Sequence, residues 1–435
     1  MIGRIGHIGR IGHIGLMGLI RPMGRMGLMG LIRPMGLMGP MGPIRLIALI
    51  ALMGLMGCSS EETTRTAETT SQLRPIAFGD AYTVKPTRSS TTFTGDKGIP
   101  VGQSIGVYAY LHNKEGRNYS ADIPNFMFNQ QCTRRDDADY FAYSPVKYWP
   151  NDENSKVSFI AYFPYTVESP GQTDTPHYPD NATGLQTLLS NSDQGLPTFN
   201  FTVKDNIDEQ VDFMVSDVMA NLPKSRDTED DPGQPFNDLS IQDRVTFLLK
   251  HMTAKVEFRI VADPEIHKDI VNFQLTDLNV TNLLTSGKLT PSYDKNSGIT
   301  SFAWSEQATT HNYDFTTYKP QLLMPHVLHP QTPDDETKAM LNVSYSITFK
   351  SDGTTYHYVE GVPVADQEYT YRNSATIQLN EMKMTGTDTP VTEWLPNHHY
   401  IYTIRLRANR IEFTGQVVDW GDTHDDIPGI EIKDE

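Results

Sequence analysis

The residues best placed to do chemistry in this chain are a serine framed by glycines, a pair of adjacent histidines, and a cysteine at the end of an apolar run. Gly102-Gln103-Ser104-Ile105-Gly106 has the Gly-x-Ser-x-Gly spacing of a nucleophile elbow. That device needs a strand entering a tight turn and a helix leaving it, so that the serine oxygen projects toward oxyanion donors. Here Val107 to Leu111 continue as an alternating apolar segment and Pro100 stands just before, so Ser104 reads as a turn residue running into a strand. His398 and His399, close to Glu393, have the residue types of a metal site, but neighbours on a strand point to opposite faces and cannot both hold one ion. There is no phosphate loop, no Glu-x-x-His pair and no carboxylate pair in a recognisable setting. The expectation is a non-enzyme with no catalytic residue, no metal and no cofactor.

The cysteine is Cys58. Leu46 to Gly57 form an apolar run behind Arg45 that matches a signal-peptide core in length and is too short to span a bilayer. The run ends Leu55-Met56-Gly57-Cys58, which resembles a bacterial lipobox, with cleavage between Gly57 and Cys58 and acylation of the new N-terminal cysteine. Residues 1–57 are therefore expected to be a signal peptide, its front part a repeat of Ile-Gly, Met-Gly and Arg-Pro units without an apolar stripe. Residues 58–75, polar and Thr-rich, read as a flexible lipidated tether. The acidic pair Glu61-Glu62 resembles the surface-export signal of Bacteroidetes lipoproteins, which places the protein in the outer membrane at the cell surface.

The whole chain carries 36 Lys and Arg against 53 Asp and Glu, a net charge of −17. Removing residues 1–57, which hold six Arg and no acid, leaves 30 basic and 53 acidic side chains, a net charge of −23. Such a body is repelled by a phosphate backbone, which excludes nucleic acid as a partner. With Cys58 acylated only Cys132 remains, so no intrachain disulfide can form.

The elements that would position these residues are strands. Ile105, Val107, Ala109 and Leu111 alternate with Gly106, Tyr108 and Tyr110, and Val157, Phe159, Ala161 and Phe163 with Ser158, Ile160 and Tyr162. Leu341, Val343, Tyr345, Ile347 and Phe349 alternate with polar residues through Lys350. Each reads as a strand with one buried face. Val211 to Val215, Val245 to Leu249, Lys255 to Val261, Tyr400 to Arg407 and Ile411 to Val418 add further strands, and no segment keeps a helical stripe. The chain is expected to be all-β, in two β-sandwich domains, 76–250 and 251–435. The boundary falls at His251-Met252, where a stretch too long for one strand is interrupted.

Several short segments then line up in order: Ile105 to Tyr110, Tyr148-Trp149-Pro150, Val157 to Pro164, Asp212-Phe213-Met214, Phe247 to His251 with Ala254 to Phe258, Trp394 to Ile404, and Ile411 to Phe413 leading to Trp420. This ordered set resembles the fimbrillin family of Bacteroidetes surface pilins. The resemblance implies two transthyretin-like β-sandwich domains in tandem. It also implies a lipoprotein precursor cut by a trypsin-like maturation protease to release its first strand, and polymerisation with other fimbrial subunits by strand exchange.

Residues can be assigned to those roles. Pro75 to Val84 offers Ile76, Phe78, Tyr82 and Val84 on one face, with Ala77, Gly79, Ala81 and Thr83 on the other, as a released strand would. Arg88-Ser89, in a Ser/Thr-rich run, is the expected cleavage point, with Arg74 and Arg65 as fallbacks. At the far end only Ile430 and Ile432 alternate before the acidic terminus, which makes a short donor tail and favours a tip or accessory subunit over a stalk subunit. The rival reading is a glycan-binding surface lipoprotein of a carbohydrate-uptake system, with tryptophans as platforms. Trp149, Trp394 and Trp420 sit in the family-like segments, which leaves Trp304 as the one to watch. The host or bacterial receptor is not legible.

Overall fold

The computed structural model describes residues 74–83, 98–113, 119, 122–135, 140–152, 154–167, 183–223, 244–262, 270–328, 338–351, 364–384, 389–406 and 411–419. All lie within one compact unit, Thr69–Glu435. Among them the helical turns are of 3-10 type, Ile207–Glu209 and Leu379–Glu381, with Tyr119 in another. Everything else that is regular is strand.

The first half supplies β1 (Phe78–Thr83), β2 (Ser104–His112), β3 (Met127–Arg134), β4 (Tyr140–Ala142), β5 (Lys156–Phe163), β6 (Leu185–Thr187), β7 (Phe199–Thr202), β8 (Met214–Ser216), β9 (Met219–Leu222) and β10 (Val245–His251). Eight of these pair in the order β2-β3-β4-β1-β10-β8-β5-β9, and β2 also pairs with β5. The ladder thus closes on itself as a ring of seven strands, with β9 alongside β5. Ile105, Val107 and Ala109 from β2, Phe159 and Ala161 from β5, Phe247 and Leu249 from β10, and Phe78 from β1 fill its interior.

The alternation in β2 and β5 led to an expectation of one buried face each, but both faces are buried. The outer residues Tyr108, Tyr110, Ile160 and Tyr162 belong to a second core, shared with Phe199 and Phe201 of β7 and with most of the apolar residues of the second half. A strand between two cores has no polar side, so its tyrosines mark packing rather than solvent. Gly106 belongs to the same arrangement: a Cβ there would lie 2.1 Å from the Tyr162 ring.

The second half runs β11 (Ala254–Ala262), β12 (Ile270–Asp294), β13 (Ile299–Asp314), β14 (Gln321–Leu323), β15 (His326–Val327), β16 (Met340–Lys350), β17 (Glu368–Gln378), β18 (Glu393–Trp394), β19 (His398–Leu406) and β20 (Ile411–Asp419). One sheet has the order β14-β11-β19-β20, and another β17-β16-β12-β7-β6 with β13 on β12. Leu341, Val343, Tyr345 and Ile347 in β16 are buried and the residues between them half-buried, as their alternation requires. β10 and β11 are separated by a bend at Met252-Thr253.

The two halves are also stitched together. β6 and β7 of the first half pair into the sheet of β12, with Phe199 opposite Leu289 and Thr202 opposite Ser286. The β12–β13 hairpin reaches back over the first half. The Val218 amide donates to Thr300 Oγ1 at 2.8 Å, Tyr119 and Tyr293 meet edge to face at 5.3 Å, and Trp304 Nε1 donates to the Met252 carbonyl at 3.0 Å.

Candidate functional site

The site begins with the first strand. β1 lies inside the ring between β4 and β10, parallel to β10 (Phe78 opposite Val245, Tyr82 opposite Leu248) and antiparallel to β4 (Phe78 opposite Phe141). Its approach is fixed before the strand starts. The Ile76 amide donates to the Lys147 carbonyl at 2.8 Å, the Trp149 amide to the Arg74 carbonyl at 2.8 Å, and the Tyr143 hydroxyl to the Ile76 carbonyl at 2.8 Å. Burial pushes the Tyr143 phenol up, well above its usual range, so it stays protonated as a donor.

Ile76, Phe78 and Ala81 all enter the ring's core. The Phe78 ring meets Tyr143 at 5.3 Å, Phe247 at 5.5 Å and Phe159 at 5.7 Å. Simple alternation puts Ala81 on the face opposite Phe78. A shift in the pairing with β10 between Phe78 and Ala81 resets the parity and brings the small residue inward. Arg74 is only 5% exposed and its carbonyl is held, so a protease would find it less open than a surface arginine. Val84, Arg88, Ser89, Gly57, Cys58, Arg65, Trp420, Ile430 and Ile432 lie outside the described residues.

The residues weighed for other chemistry have structural partners. Ser104 opens β2, sharing a 2.9 Å hydrogen bond with Thr133 Oγ1 and accepting from Gln131 Nε2 at 3.1 Å, in a strand and not before a helix. His398 Nδ1 lies 2.8 Å from the Pro396 carbonyl, while His399 Nε2 lies 3.1 Å from Glu257 Oε2. The two rings diverge as strand geometry demands. Trp394 is buried with Nε1 donating to the Tyr402 hydroxyl, Trp149 packs edge-on against Phe159, and Trp304 is half-buried against Phe213. Sequence reasoning missed the ion cluster at the start of β11. There Asp212 Oδ1 and His251 Nδ1 meet at 2.7 Å, both 4% exposed, and Arg259 Nε donates to Glu257 Oε1 at 2.6 Å. The alternation of Lys255, Glu257 and Arg259 along β11 was its only signal, because the partners Asp212 and His399 are distant in sequence.

Burial works against the charge on Glu257, but the His399 and Arg259 hydrogen bonds outweigh it and hold the carboxyl at about 2, below its usual 4.5. Burial also lowers His399, and its Nδ1 is buried without a hydrogen bond, as the bare lone pair of a neutral ring would be. Both shifts act in one direction. The Glu257 contribution is fully present above the usual carboxylate value and is lost as pH falls toward 2, while protonation of His399 costs stability below its usual 6.5. Acid denaturation should therefore lose about 3 kcal/mol on account of Glu257 between about pH 4.5 and 2. Glu257→Gln should be less stable at neutral pH and show a flatter pH profile over that window in urea titrations. An unchanged slope in the variant would refute the assignment.

A β-only body with its first strand set as a stave in a closed ring has the build of a structural subunit. The sequence profile of the fimbrillin-like family matches residues 87–420, and the chain belongs to that family. It is similar to the fimbrium subunit Fim1C of Phocaeicola vulgatus, 24% identical over 408 residues that cover 87% of this chain and 96% of the relative. Among solved structures it is similar to a fimbrial protein from Bacteroides vulgatus, with 17% identity, a TM-score of 0.47, and 80% of this chain and 99% of that one covered. It is also similar to the tip fimbrial protein Mfa3 of Porphyromonas gingivalis, with 10% identity, a TM-score of 0.32, and 74% and 95% covered. The protein is a structural subunit of cell-surface fimbriae that assembles with other fimbrial subunits.

Proposed function

We propose that the chain is made as an outer-membrane lipoprotein acylated at Cys58 after cleavage behind Gly57, and matures by losing its first strand. A trypsin-like protease cuts between Arg88 and Ser89. The segment carrying Ile76, Phe78, Tyr82 and Val84 leaves the ring, and an extended segment of a neighbouring subunit takes its place. The observation that carries this reading is the position of β1, the stave between β4 and β10 whose loss opens the ring at one seam. Such an opening exposes main-chain groups on two edges and an apolar groove, which is what strand addition requires. Each apolar anchor seated there contributes roughly 1.5 to 3 kcal/mol, so a tail with Ile430 and Ile432 alone is a weak donor. The subunit thus accepts a strand better than it gives one, in keeping with a tip or accessory place. β20, the last strand of its sheet beside β19 and bridged to Met384 at Gly415, is the other candidate donor. Two transthyretin-like domains, 76–250 and 251–435, remain the organisation we favour; the ring core drawn from Ile76 to Leu249 supports the first of them.

Arg88→Ala tests the scheme. The variant should accumulate as full-length lipidated monomer and give no high-mass ladder in unboiled gels, whereas polymer of normal length in the variant would refute the cleavage site.

A further inference from the structure

β15 and β18 form a short ribbon, with His326 opposite Trp394 and Val327 opposite Glu393, and the Leu328 amide extends it by donating to the Thr392 carbonyl at 2.9 Å. Pairing so short depends on its side chains for stability. The His326 ring meets the Trp394 ring edge to face at 5.4 Å, and Trp394 is fixed in turn by its Nε1, which donates to the Tyr402 hydroxyl at 2.9 Å. His326 Nδ1 lies 3.1 Å from the Met324 carbonyl. A carbonyl only accepts, so Nδ1 carries the proton and the neutral ring leaves Nε2 as a bare acceptor. That nitrogen is sealed from solvent and has no hydrogen bond among the described residues. An unused lone pair is a modest cost there, whereas a charged N–H in the same place would be buried with nothing to accept it.

The ribbon sits where the two halves meet. At its β15 end the Pro325 carbonyl accepts from Gln307 Nε2 of β13 at 2.6 Å, and Trp304 of the same strand donates to the Met252 carbonyl. At its β18 end the Leu395 amide donates to the Tyr400 hydroxyl at 2.7 Å, the Asn397 amide to the Thr253 carbonyl at 3.1 Å, and the His251 amide to Asn397 Oδ1 at 3.2 Å. It thus ties the β12–β13 hairpin, which reaches over the first half, to the bend between β10 and β11. The titratable groups on the elements around it are Glu393 on β18, His398, His399, Tyr400 and Tyr402 on β19, Lys255, Glu257 and Arg259 on β11, the Asp212–His251 pair at the bend, and the Lys288–Glu306 pair of the hairpin. Glu393 is exposed, burial keeps both tyrosines protonated, and Glu257 is engaged with His399 and Arg259.

We infer that the β15–β18 ribbon is an acid-released latch between the two halves: neutral His326 holds it shut, and a proton on Nε2 frees it and uncovers Trp394. Burial opposes the charged ring and outweighs the Met324 carbonyl, so the closed ribbon takes up a proton less readily than the usual 6.5 of an open one. The latch is therefore firmest above that value and loosens as pH falls through it. It does not involve β1 and should work in the uncleaved chain.

Hydrogen exchange of the full-length chain tests this, read by mass spectrometry at about pH 7.5 and about pH 5.5 and corrected for the intrinsic pH dependence of exchange. Segments 324–328 and 391–397 should open about tenfold more readily at the lower pH, the factor by which an ordinary histidine favours the open form over that interval, while β16 keeps its protection. His326→Phe should hold the ribbon equally closed at both pH values, and His399→Gln should leave the acid response in place. If His326→Phe does not fold, exchange of the imidazole C2 hydrogen in the wild-type chain reads the His326 midpoint directly, and it should lie below 6.5. Equal ribbon protection at the two pH values, the same acid loss in His326→Phe, or a midpoint at or above the usual value would each overturn the proposal.

Discussion

Phe78→Ala should destabilise the full-length chain by about 3–5 kcal/mol, the cost of emptying a fully buried phenylalanine site whose surroundings relax only in part. The ring is 0% exposed and touches Tyr143, Phe159 and Phe247, three residues from three other segments of the ring. Phe78→Leu should cost less than half as much, since it keeps most of the buried carbon. Urea denaturation reads both, and a loss below about 1 kcal/mol for the alanine variant would mean that the first strand is not seated as described. The variant also separates the precursor from the mature subunit. If cleavage at Arg88 removes residue 78, filaments assembled from Phe78→Ala should be as stable as wild type although their precursor is not. Weakened filaments would mean that β1 stays in place.

The second large effect concerns Gly106. A Cβ at this position would lie 2.1 Å from Tyr162 Cε1 and 2.4 Å from Cζ, closer than carbon atoms can approach. The tyrosine cannot yield easily: its hydroxyl donates to Asn129 Oδ1 at 2.7 Å and accepts from the Thr166 amide at 3.3 Å, and the ring packs on Phe199 at 5.0 Å. Gly106→Ala should therefore cost the overpacking penalty of about 1–3 kcal/mol plus the hydrogen bonds of a displaced hydroxyl, about 1 kcal/mol each. Gly106→Val should prevent folding. In Tyr162→Leu protein the same Gly106→Ala change should cost little, because the atoms it strikes are gone. Full additivity of the two substitutions in thermal or chemical unfolding would remove the steric explanation.

Gly106 also shows where sequence reading succeeds and where it stops. The spacing Gly-x-Ser-x-Gly could be dismissed as a nucleophile elbow from the strand that follows it, yet nothing local told that Tyr162, a partner residue on β5, needs the missing Cβ. The same division runs through the fold. β16 was legible because one uninterrupted alternation carries its whole length. β12 and β13, the longest hairpin, were not read as strands. In β12 the apolar positions packed on the core run Phe273 and Leu275, both partly buried, then the buried Leu278 and Val280, then Leu283. Their parity flips at each of two register shifts, one between Leu275 and Asp277 and one between Val280 and Leu283. A period of two cannot be seen through such resets. The first strand was found through its apolar anchors, but its inward Ala81 was hidden by the same effect.

The order of the ring has a consequence in time. β1 is the first strand of the ring to be synthesised, and its long parallel partner, β10, is the last. Phe78 cannot meet Phe247 until all the intervening strands have been made, and closures that span so much chain are slow because the loop must be ordered before the contact rewards it. Through that interval β1 is held by the short pairing with β4 and by the bonds of Arg74 and Ile76 to the chain at 143–149, and the edge meant for β10 is open to any extended segment with suitable alternation. Seating the first strand is thus a race between a distant part of the same chain and nearby parts of others, and crowding during export shifts its outcome.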